Sequence, residues 1–537
     1  MAMMAAAQAD APAAVGFIDH VTNVSDFIWG GTWNGEQVLP LPPMVVILLG
    51  IGLFMMIGLR FYPLRQLWPA IRGLSRKAGD QSAGEISPFA ALSTALSGQV
   101  GTGNLAGVAT AIALGGPGAI FWMWITALIG MALAFAEGAL AIRYREITPD
   151  GRYRGGPMAY ITYGLGPKWK WLAVLFSIGT LISAMVTGNM IQANSVGDSF
   201  AQLTGFDDWI GGLVVAALVF VVIIGGIKSI GAVAERVVPA MAAAYLAMAL
   251  LAIILNIEDI PATFGLIFHG AFNAQSATGG FLGAAVVMAM RAGVARGLFS
   301  NEAGQGSTPI AHAVARTTDP ALQGRFAMMG TFIDTILVCT MTALVILTVQ
   351  GSFPGTDPAT GLRTVQEHAW SSDLRGFDMT AGAFAAAFPF AIGHISLGAL
   401  VASIALLLFV FTTLLTWSYY GERAITYLYD RLPGATPGGE RVLHVIWRLL
   451  WCVMIWIGSF QELELVWRMG DIANAAMALP NLIALAFLAP VVFALARGHR
   501  SAGRDHGREC PRELIDEPLA TQAPPPGASR EGPPPAT

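Results

Sequence analysis

Apolar stretches of 18 or more residues recur almost without pause between positions 44 and 496 of this 537-residue chain. A helix of about 20 apolar residues is long enough to cross the hydrocarbon core of a bilayer. Charged residues make up only 12% of the sequence, about half the share found in an average soluble domain. Because helices satisfy their own backbone hydrogen bonds in lipid, the sequence predicts an all-α polytopic membrane protein.

Hydropathy predicts about eleven membrane-spanning helices in one membrane domain at residues 44–496. We expect residues 1–43 to form an extracytoplasmic segment and the proline-rich residues 497–537 to form a disordered cytoplasmic tail. The predicted spans are 44–62, 88–114, 118–142, 171–199, 209–227, 233–256, 281–315, 326–350, 390–420, 442–460 and 473–496.

Basic residues concentrate in the loops that follow the odd-numbered spans. Residues 1–43 contain no Lys or Arg, which argues against a signal peptide and, by the positive-inside rule, places the N-terminus outside and the C-terminus in the cytoplasm. A net charge of −4 offers no basic surface for a phosphate backbone, so we expect no nucleic-acid partner. The loops after the first and third spans contain Arg65, Arg72, Arg76, Lys77, Arg143, Arg145, Arg152 and Arg154.

Two of the predicted spans, the second and the seventh, are unusually rich in glycine. Each Gly costs about 1 kcal/mol relative to Ala in a helix interior, so such clusters persist in lipid where unwound backbone lines a cavity or meets protein. We therefore predict two broken helices. The two broken helices begin two blocks of five spans each, spans 2–6 and 7–11. Because five is an odd number of crossings, the second block enters the membrane from the opposite face and is inverted relative to the first. Paired interrupted helices in inverted repeats indicate a binding site near the midplane.

Residues 97–104, SGQVGTGN, mark the break in the second span. We expect the amides of Thr102, Gly103 and Asn104 to hold a ligand carboxylate, because helix N-termini bind anions and Gly permits close approach of the backbone. The alternative is that these glycines only allow close packing between helices.

In the seventh span, Ser307 or Thr308 followed by Pro309 is typical of a helix start, which predicts an unwound piece at about 297–307. Its carbonyls and the side chains of Ser300 and Asn301 are candidates for an ammonium group. Phe299 is either a lid over an apolar side chain or a packing residue.

Further polar residues lie at depth in other spans. The Thr412 and Thr413 hydroxyls can coordinate a hard cation, although Thr in a membrane helix often bonds its own backbone. Trp417 lies one turn beyond Thr413 on the same face. Gln192 is either a ligand contact or an interhelical hydrogen-bonding group. For the ionisable residues within spans we favour mutual pairing over direct function; they are Glu137, Arg291, Arg296 and Asp334.

Four motifs resemble the alanine/glycine:cation symporter family, also called sodium:alanine symporters. They are GGPGAIFWMW at 115–124 leading to Gly130, GGPM at 155–158, FSNEAG at 299–304, and Thr412-Thr413 with WSYYGE at 417–422. The resemblance implies a leucine-transporter-type fold, a 5+5 inverted repeat preceded by one extra N-terminal helix. It also implies sodium-coupled import of small neutral amino acids, chiefly alanine and glycine, with D-alanine accepted in some members.

The resemblance further implies two sets of site residues. The Ser97 and Val100 carbonyls with the Thr412 and Thr413 hydroxyls would form the sodium site. The substrate pocket would be lined by Thr102, Gly103, Gln192, Phe299, Ser300, Thr413 and Trp417.

Several expectations about function follow from this reading. We expect a transporter in a bacterial-type inner membrane, with the lipid bilayer and a small amino acid as its partners and no obligate protein partner. Na⁺ is the expected co-transported ion, with H⁺ coupling as the alternative and a channel less favoured. The sequence lacks a phosphate-binding loop for ATP and a catalytic pair, so neither a pump nor an enzyme is expected.

Overall fold

Helices dominate the computed structural model, which describes residues 16–73, 83–148, 151–272, 284–357, 361–392, 395–461, 463–500 and 502–503. In chain order the helices are α1 (Phe17–Gly30), α2 (Pro43–Gly58), α3 (Tyr62–Gly73), α4 (Pro88–Gln99), α5 (Val108–Gly115), α6 (Gly118–Arg143), α7 (Pro157–Ala159), α8 (Lys170–Met185), α9 (Ile191–Thr204), α10 (Asp208–Ile223), α11 (Gly226–Leu255), α12 (Ile260–Phe272), α13 (Ala284–Asn301), α14 (Thr308–His312), α15 (Pro320–Thr331), α16 (Thr340–Thr348), α17 (Gly376–Ala387), α18 (Leu397–Tyr429), α19 (Pro437–Gly458) and α20 (Leu463–Ala496). Short antiparallel hairpins pair β1 (Thr32–Trp33) with β2 (Glu36–Gln37), β3 (Glu146–Ile147) with β4 (Tyr153–Arg154), β5 (Gln350–Thr356) with β6 (Arg363–His368), and β7 (Ala391–Ile392) with β8 (Ile395–Ser396).

Seven helical spans within the described residues are long and apolar enough to cross a membrane, and α2 with α3, bent by 75°, would make an eighth. The other predicted spans are helical but short or interrupted: α4 with α5, α10, and α13 with α14. The count of eleven crossings therefore remains a prediction. The seven are Gly118–Arg143, Pro167–Thr204, Gly226–Leu255, Pro320–Thr348, Leu397–Tyr429, Pro437–Gly458 and Leu465–Ala496.

Both predicted helix breaks are present. After α4, Val100 is extended with φ −79° and ψ 95°, and the chain re-enters helical geometry at Thr102. The second break is shorter than expected, because α13 continues to Asn301 and only residues 302–307 are unwound. Glu302 has a φ of 55° there, in the left-handed region that is uncommon for residues other than glycine.

The second half of the seventh span starts as predicted, at Thr308 with Pro309 in its first turn. The Ser307 side chain makes no capping hydrogen bond. Its hydroxyl donates instead to the Glu302 carboxylate. The start of α14 is therefore tied by a side chain to the beginning of the break.

The described part of the chain contains four widened, π-helical segments, at Gly103–Gly107, Tyr160–Leu165, Val186–Met190 and Phe332–Cys339. Such turns are rare and are often found at functional sites, because they redirect backbone groups out of the regular hydrogen-bond ladder. Here they shape the helices that surround the two interruptions.

Segments outside the predicted spans also pack against the centre. In the long loop 351–389, α17 covers the first broken helix, and the Thr380 hydroxyl donates to the Leu105 carbonyl at 2.9 Å. In the N-terminal segment, α1 supplies Asp26, whose carboxylate pairs with Arg291 and Arg468. Residues 504–537 of the predicted tail lie outside the described residues, while Arg143 donates to the Ala502 carbonyl at 2.8 Å.

Close packing at the start of α18 allows a direct test of the fold. A Cβ on Gly398 would lie 1.8 Å from the Phe384 carbonyl oxygen of α17, whereas one on Gly438 would meet nothing within 4 Å. Both glycines are the second residue of their helix. We expect Gly398→Ala to destabilise the protein by about 1–3 kcal/mol through overpacking. Gly438→Ala is the matched control and should be neutral or stabilising. Thermal unfolding in detergent measures both, and equal melting temperatures would contradict this packing.

Candidate functional site

The two interrupted helices touch each other at Gly103. A Cβ at that position would lie 3.0 Å from the Phe299 ring and 3.2 Å from the Ser300 Cα. Only glycine permits this approach without displacing α13. The backbone of the first break therefore lies directly against the end of the helix that precedes the second break.

Backbone amides freed in the first break are satisfied by side-chain oxygens. The Gly101 amide donates to Asn104 Oδ1 at 2.8 Å. The Thr102 amide and hydroxyl both donate to Gln192 Oε1, at 3.0 and 2.8 Å. Gln192 thus holds the position in which we expected a ligand carboxylate, and two donors converge on its single oxygen.

Asp334 connects the two breaks from the side. Its carboxylate is fully buried and accepts hydrogen bonds from Asn104 Nδ2 at 2.6 Å and from the Ser300 hydroxyl at 2.8 Å. Thr335 adds a third neutral donor at 2.7 Å, and the Asn301 side chain reaches the Thr335 hydroxyl at 3.2 Å. One carboxyl group is thereby shared between residues of both broken helices.

A cluster of oxygens lies at the end of α4. The Thr413 hydroxyl is 3.0 Å from the Ser97 carbonyl, 3.2 Å from the Val100 carbonyl and 3.0 Å from the Phe409 carbonyl of its own helix. All are hard oxygen ligands of the kind that alkali and alkaline-earth cations prefer. The structure therefore brings together three of the four residues expected at the sodium site.

Thr412, the fourth, lies apart from this cluster. Its hydroxyl donates to the Phe409 carbonyl at 3.0 Å and contacts the Met241 sulfur at 3.8 Å. Thr416 lies closer: its hydroxyl bonds the Thr94 carbonyl at 3.1 Å and the Ser97 hydroxyl. Sequence analysis missed Thr416, although a spacing of three residues puts it on the same helical face as Thr413.

The two aromatic candidates have different neighbours. The Phe299 ring contacts the ring of Trp467 of α20 at a centroid distance of 5.0 Å and an interplanar angle of 35°. The Trp417 indole donates to Glu302 at 3.0 Å, and its ring lies 2.5 Å from where a Gly188 Cβ would be. Glu302 was also missed as a site residue, although an acidic residue in a glycine-rich membrane break is a signal of function.

The predicted mutual pairing of the four ionisable residues is wrong. Arg296 pairs with Asp471 at 2.7 Å and Arg291 with Asp26 at 2.5 Å. Glu137 accepts instead from the Asn481 amide at 2.7 Å. The partners of both arginines come from α1 and α20, which are distant in sequence, so hydropathy alone offered no way to find them.

A cavity of about 860 Å³ opens beside the contact between the two broken helices at Gly103. Its lining includes the Arg296–Asp471 ion pair, Trp467 and Arg291. Arg296 lies 4.8 Å from the Trp467 ring centroid and 5.6 Å from that of Phe299. The ion pair and the two rings therefore form a layer between the cavity and Gly103.

Comparison with known proteins agrees with this architecture. Residues 25–510 match the sodium:alanine symporter family. The chain is 42% identical over 481 residues to the sodium/alanine symporter AgcS of Methanococcus maripaludis, covering 89% of this chain and 96% of that protein. It is 34% identical over 492 residues to a probable sodium/glutamine symporter, GlnT of Bacillus subtilis, covering 91% and 92%.

A solved structure of a Na⁺-coupled sialic acid symporter, in a substrate-bound outward-open state, shares the fold. The TM-score is 0.51 at 11% identity, with 89% of this chain and 98% of that chain covered. The predicted leucine-transporter-type fold is thus confirmed. The family match, together with the apolar helices, makes the protein a multi-pass membrane transporter. Within that class, the chain belongs to the sodium:alanine symporter family.

The contact between the breaks predicts that alanine substitutions at Gly103 and Gly107 differ in their effect on stability. Gly103→Ala should push the Phe299 ring and the Ser300 backbone away and lower the free energy of unfolding by about 1 kcal/mol or more. Gly107→Ala is the control, because its Cβ would meet nothing closer than 3.9 Å. Thermal unfolding of the purified variants measures the difference. A Gly103→Ala variant as stable as Gly107→Ala would show that the helices do not touch there.

Proposed function

We propose that this protein imports the small neutral amino acids alanine, glycine and D-alanine by symport with Na⁺. The supporting observation is that the oxygen cluster around Thr413 and the oxygen of Gln192 that accepts from Thr102 adjoin at one residue. A Cβ on Gly101 would lie 2.6 Å from the Thr413 hydroxyl and 3.0 Å from Gln192 Oε1. An ion held at Thr413 and a carboxylate held at the Thr102 amide would therefore be close enough for direct electrostatic coupling.

In this proposal Na⁺ binds the Ser97 and Val100 carbonyls and the Thr413 hydroxyl. Because Val100 and Gly101 are outside any helix, an ion that holds the Val100 carbonyl would order the segment that presents the Thr102 amide. The substrate carboxylate would then displace Gln192 Oε1 from the two Thr102 donors. Ion binding would thus favour substrate binding, and the two effects are reciprocal.

The ammonium group of the substrate would lie on the other side of Gly103. Ser300 and Asp334 offer oxygen acceptors there, and Asn104 holds the Asp334 carboxylate in place. The Asn301 side chain would act through Thr335 rather than by direct contact. Phe299 and Trp417 would close the pocket around a small side chain, which fits a preference for alanine and glycine over larger amino acids.

The large cavity would be the entrance from outside the cell. The charge distribution of the loops supports an external N-terminus and a cytoplasmic C-terminus in a bacterial-type plasma membrane. Parting the Arg296–Asp471 pair and the Phe299–Trp467 ring contact would connect this cavity to the breaks. Alternating access would then consist of opening this layer on one side and the α14 region on the other.

Proton coupling is the second candidate, and Asp334 is the observation that favours it. This buried carboxylate contacts three neutral donors and has no cationic side chain beside it among the described residues, so a bound proton would neutralise its charge. Proton coupling would make Asp334, and not Thr413, the residue that determines how uptake depends on the ion.

Uptake by proteoliposomes tests the proposal. Radiolabelled alanine should accumulate above equilibrium under an imposed inward Na⁺ gradient and should not do so under a proton gradient of equal size. Glycine and D-alanine should compete, and glutamine should compete less. Accumulation driven by protons alone would support the second candidate, and no accumulation under either gradient would contradict carrier function for this substrate.

Two adjacent threonines provide a sharper test of the ion site. Thr413→Ala removes the hydroxyl next to the Ser97 and Val100 carbonyls, so we expect the Na⁺ concentration for half-maximal uptake to rise about tenfold, or about 1.4 kcal/mol. Thr412→Ala removes only a hydroxyl that bonds its own helix and Met241, and should stay near the wild type. The same Na⁺ dependence in both variants would rule out this cluster as the coupling site.

A further inference from the structure

Glu302 is a buried carboxylate that the mechanism above does not use. Its residue is 1% exposed, and its oxygens accept from the Trp417 indole and the Ser307 hydroxyl. Both donors are neutral. A carboxylate has about four lone-pair positions, so acceptor capacity remains. Because an isolated negative charge is costly to bury, a group in this position is neutralised either by a proton or by a bound cation.

Tyr420 is a second unexplained polar group near it. Its side chain is fully buried, and among the described residues its hydroxyl has no hydrogen-bond partner. Leaving such a group unsatisfied costs about 1–3 kcal/mol. Tyr420 follows Trp417 by three residues on α18, so both side chains lie on the same helical face. The hydroxyl is therefore free to bind a ligand that enters at this position.

Both groups lie close to Gly98. A Cβ on Gly98 would lie 3.4 Å from Glu302 Oε1, 3.4 Å from the Tyr420 hydroxyl and 3.2 Å from the Thr416 methyl group. Both oxygens therefore border the space left by the missing side chain. Gly98 directly follows Ser97, whose carbonyl belongs to the oxygen cluster around Thr413. The two sites are thus adjacent along α4.

We propose that Glu302 and Tyr420 form a second station for the transported cation, which receives the ion as it leaves the cluster at Ser97, Val100 and Thr413. This inference rests on the proposed cation-coupled transport. Hard cations take carboxylate and hydroxyl oxygens. The first cluster consists of neutral oxygens, whereas Glu302 adds a negative charge on the side of α14. The Cα of Tyr420 lies about 10 Å beyond the Cα of Thr413 toward the C-terminal end of α18. The station therefore lies between the first cluster and that end of the helix.

The step that depends on such a station is ion release. Net uptake requires the carrier to release its ion and return empty. Exchange of labelled for unlabelled alanine, with saturating Na⁺ on both sides, lets the carrier return loaded and does not require release. The ratio of net uptake to exchange therefore isolates the step, in proteoliposomes that contain the full-length protein.

We expect Glu302→Gln, which keeps an acceptor for Trp417, to lower net Na⁺-driven uptake about tenfold while exchange stays within about twofold of the wild type. Tyr420→Phe removes only an unpartnered hydroxyl, so it should retain the wild-type melting temperature and lower net uptake about threefold. Tyr427→Phe is the control on the same helix, because its hydroxyl already pairs with Thr162 at 2.7 Å. It should leave the ratio unchanged.

Parallel loss of uptake and exchange in Glu302→Gln would indicate a structural role and overturn the proposal, as would an unchanged ratio in a folded variant. If Glu302→Gln does not fold, Tyr420→Phe decides the question in the same assay, and an unchanged ratio there overturns the station. Failure of the wild type to accumulate alanine under a Na⁺ gradient would contradict the proposed function instead, and wild-type uptake is measured first.

Discussion

The architecture depends on one constraint: backbone polar groups that a helix break exposes inside a membrane must find partners within the protein. At each break, side chains from other helices form hydrogen bonds with these backbone groups. Gln192 accepts from the Thr102 amide, and the Thr413 hydroxyl lies within hydrogen-bonding distance of the Ser97 and Val100 carbonyls. At the second break, the Asn481 amide donates to the Gly304 carbonyl at 3.0 Å. These partners fix how α4, α9, α18 and α20 are placed around the centre.

The same satisfied groups are the ones a substrate and an ion would use. The Thr413 hydroxyl now donates to carbonyls that are well suited to a cation, and the Gln192 oxygen takes donors that are well suited to a carboxylate. Ligands would replace internal hydrogen bonds that are already made. Replacement of this kind lowers the cost of the empty site at these groups, because each of them has a partner when no ligand is bound. It also gives the ion and the substrate a shared boundary at Gly101.

Sequence reasoning located the main features of the site because each has a local signal. Glycine clusters marked both breaks, and a Ser/Thr-Pro step marked the start of α14. It overestimated the second unwound piece, since helical geometry at 297–301 is maintained by packing and not by local preference. It missed Glu302 and Thr416, and it paired the four ionisable residues incorrectly. Those errors concern contacts between residues far apart in the chain, such as Arg296 with Asp471.

Taken alone, the sequence determined the membrane-embedded helical class, the positions of the two breaks and, through its motifs, the family. These properties follow from apolar segment length and from the conformational preferences of Gly and Pro, which act over a few residues. Only the tertiary structure decided that Thr413 and not Thr412 faces the carbonyls of α4, and that Asp334 joins both breaks. Adjacent residues on a helix point about 100° apart, so which of them faces a partner depends on the packing of the whole helix.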